Sequence, residues 1–132
     1  MNMNKWCGDL INTKEKLPMP VLSFPSISLL GVSVKELISD AELQAQGMKA
    51  VADRNMSAAS VSMMDLSVEA EAFGAKIRVS DDEVPTVTGA LVADENDADA
   101  LEIPEIGAAR TGLYISAIEK AAKLITDRPV FA

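Results

Sequence analysis

The sequence predicts an α/β chain, the N-terminal part of a parallel barrel left incomplete. Three stretches predict it. Residues 57–74 read S-A-A-S-V-S-M-M-D-L-S-V-E-A-E-A-F-G. The run at 58–64 is small or apolar, as a strand buried on both faces requires, and 66–73 favours helix. Residues 111–125 place Tyr114, Ala117, Ile118, Ala121 and Ile125 on one helical face, with Ser116, Glu119, Lys120 and Lys123 opposite. Asp127, Arg128 and Pro129 then lead straight into an apolar strand at 130–132. Such a strand belongs in a sheet covered on both faces. A barrel that does this needs about 250 residues, so a chain of 132 is expected to be a truncated portion of one.

Asp65 stands between the strand and the helix of the first stretch. Ligands of parallel sheets bind at the carboxyl ends of the strands, so Asp65 is expected to face a substrate pocket. The plainer alternative is that its carboxylate caps the helix it precedes.

Composition limits the chemistry. Hydrophobic residues make up 48% and charged residues 24%, which suits one globular domain rather than a disordered chain. The net charge of -8 argues against nucleic acid or an anionic membrane as partner. No apolar run approaches the roughly 20 residues that cross a bilayer, and the opening residues lack a signal-peptide core, so the expected location is the cytoplasm. The chain has one cysteine, Cys7, and no histidine. An internal disulfide, a Ser-His-Asp triad, a Cys-His pair and the usual zinc sites are thereby excluded for these residues alone. What remains is carboxylates, Lys, Arg, Tyr114 and Cys7.

The remaining elements follow in order. Residues 4–13 form an amphipathic segment with Trp6, Leu10 and Ile11 on one side, a lid for a core. Cys7 beside them is expected to be a packed thiol rather than a nucleophile. Pro18 and Pro20 bar helix, and 21–24 reads as a first strand closed by Pro25. Residues 26–31 make a loop or single turn, packed down through Ile27, Leu29 and Leu30. Ser33 and Glu36 have capping-box spacing for a short helix, and Asp40 caps a second one reaching Arg54. There Ala41, Ala45, Met48 and Ala52 make a narrow stripe suited to close approach against a sheet. Met48, Met63 and Met64 are gap-fillers rather than metal ligands.

Gly74 ends the helix after Asp65. Residues 76–79 alternate as a half-exposed strand, the acidic turn 81–83 follows, and 85–88 is the expected partner strand. Residues 91–101 are an acid-rich loop with one helical turn, and Pro104 and Gly107 interrupt what comes next.

The ten residues from Asp65 to Gly74, D-L-S-V-E-A-E-A-F-G, resemble the Asp-plus-glycine signature after the second strand of the uroporphyrinogen decarboxylase superfamily. The hairpin strand at 77–79 and the helix running into Arg128, Pro129, Val130 and Phe131 are similar to that family too. The resemblance implies a (β/α)8 TIM barrel, of which this chain is the N-terminal part. V-E-A-E-A-F-G is closest in wording to the cobalamin-dependent branch, the methylcobamide:coenzyme M methyltransferases. That branch implies zinc and a corrinoid for the complete enzyme, neither bound by this chain alone, with a small-molecule substrate and a corrinoid protein as partners. Zinc there lowers the pKa of a thiol so that its thiolate attacks a methyl group on cobalt.

The other branch, the uroporphyrinogen decarboxylases of porphyrin biosynthesis, works without cofactor and resembles itself in an Arg-rich loop after the first strand. Here residues 23–28, S-F-P-S-I-S, have no arginine. In a decarboxylase Asp65 would accept pyrrole N–H groups and stabilise developing positive charge; in a methyltransferase it would orient substrate or a neighbouring group. Ser23, Phe24 and Glu69 are the expected pocket residues beside it. A third possibility is a truncated, non-catalytic chain.

Overall fold

The computed structural model describes residues 1–21 and 24–132. Helix starts are set by short-range chemistry. In α1 (Met3–Asn12) the Asn2 side chain accepts from the Lys5 N–H. Helix α2 (Ser26–Leu30) is a little over one turn and ends on Gly31, whose φ of 69° only glycine adopts freely. In α3 (Val34–Ser39) the Ser33 hydroxyl accepts from Glu36 N–H at 3.2 Å. The Glu36 carboxylate in turn accepts from Ser33 N–H at 2.8 Å, completing the box. Asp40 receives the N–H groups of Glu42 and Leu43 to open α4 (Ala41–Arg54). A cap of this kind contributes about 1 kcal/mol.

Strand β1 (Ser60–Val61) leads through Asp65 to α5 (Val68–Ala72), then to a hairpin of β2 (Lys76–Arg78) and β3 (Thr86–Thr88). The hairpin is antiparallel, with Lys76 opposite Thr88 and Arg78 opposite Thr86. A single helical turn, α6 (Glu95–Asp99), precedes α7 (Thr111–Leu124), which returns the chain to β4 (Val130–Phe131). β4 lies parallel to β1, Ser60 facing Val130 and Val61 facing Phe131. Strand, helix and parallel strand are the repeating unit of an α/β sheet.

Two apolar clusters hold these elements together. Ala45, Met48 and Ala52 of α4 meet Ala121 and Ile125, with Val130 packed alongside. Val34, Leu37 and Ile38 of α3 meet Met63, flanked by Phe24, Ile27, Val32, Leu43 and Tyr114. On another face of α4, one turn after Leu43, a Cβ built at Gly47 would lie 2.5 Å from the Ser26 hydroxyl, so the missing side chain is what lets α2 approach. Trp6 of α1 rests on Phe131, ring centroids 5.7 Å apart, which seats the N-terminal helix over β4.

Several expectations are corrected. The small stripe of α4 packs chiefly on α7, where Ala117 and Ala121 offer a close seat, and meets the sheet only at its margin, through β1 and Val130 of β4. Cys7 is exposed rather than packed: α1 buries no residue fully and leans on its neighbour mainly through Trp6. Leu29 is exposed, unlike Ile27 and Leu30 beside it. Of 58–64, only Ser60 and Val61 are in regular strand and Met64 is exposed, because β4 offers two residues of pairing and the chain then bends toward Asp65. Residues Leu22 and Ser23 of the expected first strand lie outside the described residues, and neither Val21 nor Phe24 at its ends is in a strand.

Candidate functional site

Asp65 follows the carboxyl end of β1 and is held from four directions. Its Oδ1 accepts from the Ser67 N–H at 3.0 Å and the Ser67 hydroxyl at 2.6 Å. Its Oδ2 accepts from Arg110 Nη1 at 2.5 Å and the Tyr114 hydroxyl at 2.8 Å. The local turn made by the Ser67 contacts explains why α5 begins at Val68 rather than at 66. Arg110 also donates from Nε to Glu71 at 2.5 Å and from Nη2 to the Ser67 hydroxyl at 2.8 Å. One guanidinium thus joins β1, α5 and the start of α7.

The Asp65 side chain has 0% exposure and that of Arg110 14%. Burial pushes the Asp65 carboxyl upward, but the hydrogen bonds from Ser67, Arg110 and Tyr114 outweigh it and hold the group below the usual carboxylate range. Burial likewise disfavours the charged Arg110, and its bonds to Asp65 and Glu71 more than restore it. Tyr114 is pushed up by burial and by the adjoining carboxylate, so its phenol keeps its proton and acts as a donor.

Arg110 owes its place to a tight turn. Gly107 has φ 87° and Ala109 φ 49°, both left-handed. A Cβ at Gly112 would come within 2.8 Å of the Gly107 carbonyl oxygen, so only glycine allows the chain to fold back there. A cation at the N-terminus of a helix opposes the helix dipole. Two carboxylates, Asp65 and Glu71, compensate it here.

Beside this network lies an open cleft of about 420 Å³, walled by Val61, Met63, Met64, Leu66, Val68, Tyr114, Ile115 and Ile118 among others. Asp65 borders it only through its main chain, since the side chain has no exposed surface. Glu69 lines the cleft from α5. Phe24 packs against the cluster around Leu37 instead of lining it, and Ser23 lies outside the described residues. The sequence reading missed Arg110, Ser67 and Glu71 as parts of the site. The available signal was an arginine directly ahead of an amphipathic helix, where the helix dipole disfavours a cation and nearby carboxylates offset that.

Residues 26–132 match the family described as uroporphyrinogen decarboxylase (URO-D). The chain belongs to the uroporphyrinogen decarboxylase family. No curated protein matches it in sequence. Among solved structures it is similar to a methyltransferase from Methanosarcina mazei, with 21% identity and a TM-score of 0.72 over 89% of this chain. The chain spans 37% of the length of that structure. The fold is accordingly that of the N-terminal part of a (β/α)8 barrel, incomplete within these residues. The Asp65 carboxylate, in the stretch that resembles an Asp-plus-glycine signature, is turned into the protein.

Zinc, which a methyltransferase of this family would imply, finds no set of ligands among the described residues. The chain has no histidine. Its cysteine is exposed on α1, and among the described residues no three Cys, Asp or Glu side chains converge to hold a metal ion. Among the described residues no helix is long and apolar enough to cross a membrane.

Proposed function

We propose that the chain is part of a corrinoid-dependent methyltransferase of this family, one that moves methyl from a methyl-corrinoid to a zinc-activated thiol. The observation that favours this over decarboxylation of a porphyrinogen is the charge of the cleft. Among the described residues no Lys or Arg lines it, and Arg110 is committed to Asp65 and Glu71. A porphyrinogen bearing many carboxylates calls for forked cationic partners. An apolar wall suits methyl transfer, which needs water kept from the reacting carbon. The likeness to a methyltransferase fold supports the same reading.

These residues would then build one wall of the site, and the metal and corrinoid would be held by residues other than these. Asp65 is a positioning residue. It fixes Tyr114 at the cleft and Arg110 behind it.

The test is an assay of the protein isolated from its own host through a tag on this chain, with methylcobalamin and a small thiol. The expected product is the S-methyl thioether. Turnover of uroporphyrinogen with no methyl transfer would replace this reading by the decarboxylase, and neither activity would favour a non-catalytic chain.

A further inference from the structure

We infer that the acidic stretch between β2 and α7 is a docking surface for a protein partner, which it takes by an amphipathic helix with Lys or Arg beside an apolar stripe. The inference goes beyond methyl transfer and does not depend on it. It starts from where the charge lies. Residues 79–109 hold nine Asp and Glu and no Lys or Arg, whereas the remainder of the chain holds eleven acids and twelve cations. The net charge of -8 therefore belongs to this one stretch, -9 there against +1 elsewhere. All nine carboxylates are on exposed residues, and among the described residues only Glu83 has an ion-pair partner, Arg78 at 3.1 Å. Leu22 and Ser23, outside the description, are uncharged and add no cation. Charge concentrated in this way attracts and orients a partner of opposite sign.

Solubility alone would be served by acids spread over the surface. Here they stand next to apolar side chains left bare. Ile103 is 90% and Ile106 95% exposed, each directly after a glutamate, Glu102 and Glu105. Glu105 and Ile106 wall a depression of about 260 Å³ together with Phe73 and with Ile115 of α7. The charged residues that line it, Glu69 and Glu105, are both acidic. Through Glu69, Thr111 and Ile115 it continues into the cleft beside β1, so the apolar trough is longer than either space alone. None of its lining residues lies in a strand. An incoming segment finds side chains there and no strand edge, so it must satisfy its own backbone groups, which a helix does. The match is to both parts of such a helix: its apolar stripe fills the depression, and its flanking cations meet Glu105 and Glu69. A helix with acids beside the stripe meets repulsion in the same place.

Labelled helical peptides of about 18 residues, roughly five turns, test this by fluorescence anisotropy with the whole chain. One is built of Leu and Lys with the leucines in a single stripe, one has the same residues reordered to break the stripe, and one is a striped Leu and Glu helix. The striped Lys peptide is expected to bind about tenfold tighter than the reordered one, and the Glu peptide not to bind. Replacing both isoleucines, Ile103→Ser with Ile106→Ser, should bring the two Lys peptides within about threefold of each other. Glu105→Lys should weaken the striped Lys peptide about fivefold, whereas Glu15→Lys, the same change of charge at an exposed site outside the stretch, should leave it within about twofold. The replaced side chains are all exposed, so the variants are expected to fold, and an unchanged melting curve checks it. Equal binding of the two Lys peptides would reduce the surface to unspecific attraction by acids and overturn the inference. So would an equal loss with Glu15→Lys, binding of the Glu peptide, or no binding at all. Dimers of the chain in sedimentation that the isoleucine replacements abolish would overturn it as well, by giving the surface to a second copy.

Discussion

The Asp65 carboxylate is held inside the protein by Arg110 and Tyr114, so its charge depends on both of them. Its position at the strand-to-helix junction was legible, because strand and helix patterns are local. Its partners were not, since Arg110 lies 45 positions away and Tyr114 49, and nothing in a one-dimensional pattern joins them. Removing one side of a buried ion pair leaves the other uncompensated, so Arg110→Ala should cost about 3–5 kcal/mol, read as a fall in the urea midpoint. Tyr114→Phe removes one donor to a charged acceptor and should cost about 1.5–3 kcal/mol by the same measurement. The pH dependence has a definite sign. Because the folded carboxyl of Asp65 lies below its unfolded value of about 3.9, its contribution is full above that value. It is lost as pH falls through the lower, folded value. Acid unfolding followed by circular dichroism should therefore be shallower in Asp65→Asn, already less stable at pH 7, than in the parent.

At the scale of elements, what was readable depended on range. The capping box of Ser33 with Glu36, the Asp40 cap, the 76–88 hairpin and the register of the α7 face all involve residues close in sequence, and all stand as expected. The stripe on α4 was visible but its partner was not, because small side chains accept a helix or a sheet equally. Cys7 shows the same limit: an amphipathic period names a face but does not say how much of it is covered. Two element-level variants follow. Ser33→Ala should lower stability by about 1 kcal/mol. Gly112→Ala forces backbone atoms apart at Gly107 and should cost about 1–3 kcal/mol. It should also loosen the Arg110 contacts, seen as faster amide exchange at Ser67, whose N–H is bonded to Asp65.

At the scale of the whole molecule, acidity and exposed apolar surface oppose each other. The chain carries a net charge of -8 and leaves Leu66, Ile103 and Ile106 largely open, the last at 95%. Charge repulsion keeps such surfaces apart near neutrality. Light scattering should thus rise as pH is lowered toward the isoelectric value near 4.4, and added salt should move the onset to higher pH. The barrel expectation could be read from the order of elements, whereas the exposure of Ile103 and Ile106 could not. Whether Ile103 and Ile106 are covered is a property of neighbours in space, and Pro104 and Gly107 around them signal only that regular structure stops.

The Arg110 to Asp65 bond also ties off everything between those residues like the drawstring of a bag. The hairpin, the acidic stretch and α6 all leave and return through that one neck. Asp82 sits at the exposed bend of the hairpin, whose own strands pair with each other. A reporter peptide spliced in at that bend would hang outside the neck, giving a place to label the protein while the knot beneath stays tied.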